Sequence, residues 1–120
     1  MMRALVAALL LASALPASAQ TLRVLDGGTF ILNGERVRIE NIDPPQVEGR
    51  CVAERKVAQD AKRELQRLLA RGPIDLERMR RKDPSGWTLA RVRVNGADVG
   101  LALIAAKLAH SWNGKRQGWC

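Results

Sequence analysis

From Thr21 onward, short apolar runs alternate with turn residues, and the spacing of the apolar positions changes along the chain. Residues 21–25 and 29–32 are brief strand candidates separated by Asp26-Gly27-Gly28, whose glycines permit a tight turn. Asn33-Gly34 then joins residues 29–32 to 35–42 in the pattern of a two-residue hairpin. Val37, Ile39 and Ile42 do not alternate cleanly, which predicts a bulge near Asn41. Asp43-Pro44-Pro45 stops the strand, because a proline nitrogen cannot donate to a ladder.

Over residues 53–69 the period lengthens. Val57, Ala61, Leu65, Leu68 and Leu69 recur at helical spacing, with charged residues on the other sides, and Gly72-Pro73 ends the segment. Residues 74–80 and 88–94 return to strand character. In the second of these, Ala90, Val92 and Val94 share one face and Leu89, Arg91 and Arg93 the other. Asn95-Gly96 turns the chain, and Asp98 is placed to cap a second helix over residues 99–106. The order β-β-β-α-β-β-α predicts a mainly β fold with helices, an α+β arrangement compatible with a five-stranded OB-fold barrel carrying two helices.

The start of the chain has another character. Arg3 precedes an apolar run over residues 4–15, and Ala17-Ser18-Ala19 has the small-x-small form of a signal peptidase site. Residues 1–19 are therefore expected to be a secretory signal, leaving one domain over residues 20–120, exported to the periplasm or the medium. The run falls short of the ~20 residues of a membrane span. No transmembrane span is expected after the signal is removed.

Charge and cysteines sharpen this picture. With 20 Lys and Arg against 12 Asp and Glu the formal charge is +8, which favours nucleic acid or another polyanion as partner, although many basic faces are merely solvated. Aromatic residues make up only 3% of the chain, few for a surface on which bases stack, and Phe30 is expected in the core. Two cysteines, Cys51 and Cys120, suggest one disulfide in an exported protein, with two free thiols as the alternative. His110, the only histidine, has no companion ligand nearby in sequence and is expected at the surface or at a cap.

Several ordered segments carry a resemblance. They are Asp26-Gly27-Gly28-Thr29, the stretch from Arg38 to Gln46, Asp83-Pro84-Ser85-Gly86-Trp87, Asn95-Gly96-Ala97-Asp98, the segment Arg50 to Glu54, and the basic run ending in Trp119-Cys120. Taken in order, they resemble the staphylococcal-nuclease-like (thermonuclease) family, calcium-dependent phosphodiesterases on an OB-fold. The resemblance implies that Arg38 stands at a phosphate-binding arginine, Asp43 at a metal-ligating carboxylate, and Asp26 beside the metal.

The departures fall on the chemistry. Gly28 stands where the family has its other carboxylate ligand, Gln46 where it has the glutamate that activates water, and Trp87 where it has a second arginine. Ser85 replaces a tyrosine, and Pro44 a residue whose carbonyl helps bind metal in some members. An amide cannot accept a proton from water, and a lost general base typically costs about 10²–10⁴ in rate. A charge-stabilising arginine adds about 10³–10⁵ in phosphoryl transfer. The resemblance thus implies a catalytically degenerate member, an anion- or nucleic-acid-binding or structural module with no cofactor or only weakly held Ca²⁺; the alternative is a weak or altered Ca²⁺-dependent nuclease.

Compensation could come from Glu48, Glu40 or the cations Arg80, Arg81 and Lys82, whose simpler reading is a solvated loop. Trp87 could plug the old site or stack on a base, while Trp112 and Trp119 are expected to pin the tail beside the disulfide. Lys107 occupies a turn where related sequences have glycine. It implies either a left-handed lysine, at a cost of about 1 kcal/mol, or a helix that runs on.

Overall fold

The structure is a computed structural model that describes residues 20–120, so the expected signal over residues 1–19 lies outside the described residues. Three strands open the fold: β1 (Leu22–Val24), β2 (Thr29–Leu32) and β3 (Glu35–Ile39), each antiparallel to the one before. Asn33 and Gly34 both take positive φ, as a tight hairpin turn with matching twist requires. Asn95 and Gly96 repeat this geometry between β6 (Thr88–Val94) and the short β7 (Ala97–Asp98).

The expected continuous strand over residues 35–42 is broken. Glu40 makes the last bond to the main sheet, from its N–H to the Ala90 carbonyl at 2.9 Å. Residues Ile42–Asp43 then form β4, which pairs with β8 (His110–Ser111) in a separate two-stranded sheet. Val37, Ile39 and Ile42 are all buried, at 0%, 1% and 2% exposure, although the last is out of phase with the first two. The chain restores the phase by leaving the sheet at Asn41 rather than by bulging within it.

Helix α1 (Val52–Leu69) buries Ala58, Ala61, Leu65, Leu68 and Leu69. Val57, expected on this stripe, is only half-buried, and Ala58, one position on and in line with Ala61 and Leu65, is buried instead. Ala61 faces that turn so closely that a Cβ on Gly27 would stand 2.6 Å from its own. After α1, β5 (Ile74–Lys82) pairs antiparallel with β6, and β6 pairs parallel with β3, matching Val37 to Thr88 and Ile39 to Ala90. The path β1-β2-β3-β6-β5, with β7 added on β6, makes a mixed six-stranded sheet. Arg80, Arg81 and Lys82, expected in a loop, lie at the end of β5.

The core gathers Phe30, Val37, Ile39, Leu65, Val92 and Leu103, each less than 2% exposed. A buried side chain of this size stabilises by roughly 1.5–3 kcal/mol. Helix α2 (Val99–Ala105) begins at Asp98, whose carboxylate accepts the Leu101 N–H at 2.8 Å. It ends one residue earlier than expected. Lys107 takes φ +60°, its N–H bonds the Ile104 carbonyl, and the Leu108 N–H bonds the Leu103 carbonyl, both at 2.9 Å. This paired closure is the usual one around a left-handed residue.

Candidate ligand-binding site

Arg38 and Leu89 are register partners on the outward face of the parallel β3–β6 pair. That face would be open to solvent, yet Leu89 is only 7% exposed. Ile42, Pro84 and Trp112 wall a cavity of about 210 Å³ beside it, and Arg38, Glu40, Arg81 and Asp83 supply its charged lining. The backbone N–H of Trp112 donates to the Asn41 carbonyl at 3.1 Å and holds the residue at the cavity. The break at Asn41 thus builds the pocket by letting β8 deliver an indole there.

The cations of this cavity are paired loosely. Arg38 Nη1 lies 3.7 Å from Asp83 Oδ2, and Arg81 Nη2 lies 3.6 Å from Glu40 Oε1. Arg91 Nε approaches Glu40 Oε2 at 3.4 Å. The Arg38 and Arg81 contacts are ion pairs beyond hydrogen-bond length, so among the described residues these two guanidinium groups keep donors for an anion. Asp83 was not singled out as Arg38's partner by sequence. One of its carboxylate oxygens accepts the Ser85 N–H at 2.9 Å and the Trp87 N–H at 2.7 Å, and the other faces Arg38. A turn-forming Asp-Pro-Ser-Gly signals the first role; only the fold reveals the second.

The positions matching the nuclease pattern do not assemble a cation site. Asp26 spends Oδ1 on the Gly28 N–H at 2.8 Å, closing its own turn. Gly28 is buried against Pro44, where an added Cβ would stand 2.7 Å from the proline Cγ. Asp43, 2% exposed, accepts the Gln117 N–H at 2.7 Å through Oδ2 and has Arg116 Nε 3.7 Å from Oδ1. Calcium takes 6–8 oxygens. Here one carboxylate is bonded locally, one is covered by a peptide N–H and a guanidinium, and the third position has no room for a side chain. These residues do not fit calcium. Among the described residues, no group of three or more His, Cys, Asp or Glu is placed to hold a metal ion.

The remaining candidates scatter. Gln46 is exposed and its N–H donates to Glu54 Oε2 at 3.0 Å. Glu48 is exposed and lines, together with Gln46, a cavity separate from the one beside Arg38, while Glu40 faces the arginines. Arg80 is exposed on β5. Trp87 neither plugs the cavity beside Arg38 nor lies free, because the Arg36 guanidinium sits 5.6 Å from its ring centroid, a cation–π contact. His110 corrects the expectation of a surface or capping residue. It is half-buried opposite Asp43, its ring stacks on Trp119 at 4.0 Å, and its Nε2 is enclosed without a hydrogen-bond partner among the described residues. Trp119 pins the tail as expected, but Trp112 belongs to the cavity.

Sequence reasoning placed Glu54 on a polar side of α1; it is buried at 6% exposure and ties the 46–49 loop to the helix. Cys51-x-x-Glu54 has the spacing of a capping box, which is the signal that could have marked it. Cys51 is the N-cap, its Sγ accepting the Glu54 N–H at 3.4 Å, and it forms a disulfide with Cys120 across a Cα–Cα distance of 5.9 Å. Among the described residues no helix is long and apolar enough to cross a membrane. No protein-family model matches this chain, and no curated protein matches it.

Proposed function

We propose that this chain is an exported OB-type barrel of staphylococcal-nuclease-like descent whose cleft around Arg38 binds an anionic ligand of nucleic-acid type without cutting it. The strand path β1-β2-β3-β6-β5, with a parallel β3–β6 pair and a helix in the crossover, supports the barrel reading. The disulfide supports export, since such bonds persist in oxidising compartments. One observation carries the functional reading. Two arginines with unspent donors share a cavity with Leu89 and Trp112, while the carboxylate that would anchor a metal, Asp43, is already neutralised by the tail. Such a cavity offers charge to a phosphate and an apolar wall to a ring. Its carboxylates, Glu40 and Asp83, face these arginines.

Titration of a fluorescent single-stranded oligonucleotide tests this. Binding is expected in chelator and in calcium alike, weakening steeply with salt as counterions are released. Arg38→Ala and Trp112→Ala are each expected to weaken it roughly tenfold, about 1.4 kcal/mol. Chelator-sensitive cleavage would reinstate the weak-nuclease alternative, and salt-insensitive or absent binding would refute the cleft as an anion site. Restoring Gly28→Asp, Gln46→Glu and Trp87→Arg is expected to yield no activity while Pro44 remains, because the new Cβ would stand 2.7 Å from the proline ring and must displace it.

A further inference from the structure

We propose that the Cys51–Cys120 bond is a thiol-exchange site, at which an external dithiol attacks Cys120, Cys51 departs at the amino end of α1, and residues 113–120 are released from Asp43.

The two sulfurs differ in their surroundings. Cys51 caps an 18-residue helix and already accepts the Glu54 N–H. A thiolate there is stabilised by the aligned peptide dipoles and by a peptide donor. Cys120 is exposed, and its Sγ lies 4.0 Å from Glu54 Oε1. A carboxylate at that distance disfavours a second negative charge. Exchange favours the better-stabilised thiolate as leaving group, so attack falls on Cys120. Access is provided by a cavity of about 550 Å³ lined by Arg50, Arg116, Trp119 and Cys120 among others. Its two guanidinium groups are balanced by the carboxylates of Glu48 and Glu54, so the cavity supplies access to the sulfur rather than an attractive field.

The step balances. The attacking thiolate bonds to Cys120 Sγ, and the Cys51–Cys120 bond breaks with its electron pair going to Cys51 Sγ. The second thiol of the reagent, as thiolate, then attacks the reagent's own sulfur in the mixed disulfide and expels Cys120, which takes a proton from water. The dithiol is oxidised by two electrons and the protein disulfide is reduced.

Opening is local because the bond joins the tail to the start of α1, outside the main core. What then holds residues 113–120 is the Gln117 N–H on Asp43, Gln117 Nε2 on the Ser111 carbonyl at 2.7 Å, the Arg116 ion pair and the Trp119 stack. None of these is covalent. Without the covalent link they compete with a freely moving segment.

Two measurements test the proposal on the full-length oxidised protein. Brief exposure to glutathione, acid quenching and peptide mass mapping should find the adduct on Cys120 at least tenfold over Cys51. Equal labelling, or an adduct mainly on Cys51, overturns the assigned direction. Hydrogen exchange after dithiothreitol should then show the Gln117 amide losing at least tenfold protection while the Phe30, Val37 and Val92 amides keep theirs. A Gln117 amide that stays protected, or all four amides lost together, overturns local release. In Cys120→Ser, iodoacetamide should titrate Cys51 with a pKa below the ordinary ~8.5 of a free cysteine, and a value at or above that sinks the leaving-group argument. None of these readouts depends on what the Arg38 cleft binds.

Discussion

Replacing Lys107 with glycine should stabilise the protein, although a long, well-solvated side chain is removed. Lys107 holds φ +60° at the end of α2, and a Cβ in that region costs about 1–2 kcal/mol. Glycine removes this cost but gives the unfolded chain more freedom, an offset of about 0.5–1 kcal/mol. The two bonds that close the helix, from the Lys107 and Leu108 N–H groups, come from backbone and survive the change. Taking the middle of each range, the net gain is about 0.75 kcal/mol. For about 100 ordered residues the unfolding entropy is roughly 0.2 kcal/mol per degree, so Tm should rise by ~2–5 °C. Lys107→Ala is the control. It removes the charge and the stem yet keeps the Cβ, and should shift Tm by no more than ~2.5 °C in either direction, since surface changes of this kind fall mostly within ±0.5 kcal/mol. Calorimetry of the three proteins in parallel decides. If Lys107→Gly melts no higher than Lys107→Ala, the left-handed closure is not where the cost resides.

Other outcomes follow from the polar contacts. Arg78 donates two hydrogen bonds to Glu35 at 2.7 and 2.8 Å, and with the Thr88 hydroxyl and the charges of Arg78 and Lys82 it outweighs burial, lowering the Glu35 pKa from 4.5 to about 2. This stabilisation is complete above pH 4.5 and is lost as pH falls through about 2; because Arg78 is 55% exposed, screening reduces it to ~1 kcal/mol. Urea unfolding of Glu35→Gln should show that deficit at pH 7 and little at pH 2, and equal deficits at both would contradict the linkage. Gln117→Pro removes the N–H that faces the buried Asp43 and should cost about 1–3 kcal/mol by the same assay; a neutral result means that water or Arg116 serves the carboxylate equally well. Phe30→Ala, at a site with 0% exposure, should cost about 3–5 kcal/mol, and a loss under 1 would place Phe30 outside the core.

What could be read from sequence was local. Asn33-Gly34 and Asn95-Gly96 specify their turns through residues that tolerate positive φ, and both turns stand where expected. The stripe on α1 and the faces of β6 follow from side-chain period, and they were placed within a residue or so. The partners of Asp43, Glu54, His110 and Trp112 were hidden because each lies across a gap in sequence that no periodicity spans. Asp43 meets Gln117, and Asn41 holds Trp112, only after β8 has crossed back to β4. Gly28 and Pro44 read as two separate departures from a pattern. In space they are neighbours, so a side chain at Gly28 forces the Pro44 ring to shift.

The parallel pairing of β3 with β6 bears on how the molecule assembles. Val37 and Thr88 lie about fifty residues apart, with α1 and β5 intervening, whereas the β1-β2-β3 meander and the β5–β6 hairpin join near neighbours. The two β units can form independently within microseconds, but docking them requires a large loss of chain freedom before any cross-sheet contact repays it. Refolding is therefore limited by that docking, on a millisecond-to-second scale. Until it occurs, the exposed margins of β3 and β6 are the surfaces most prone to pair with another molecule.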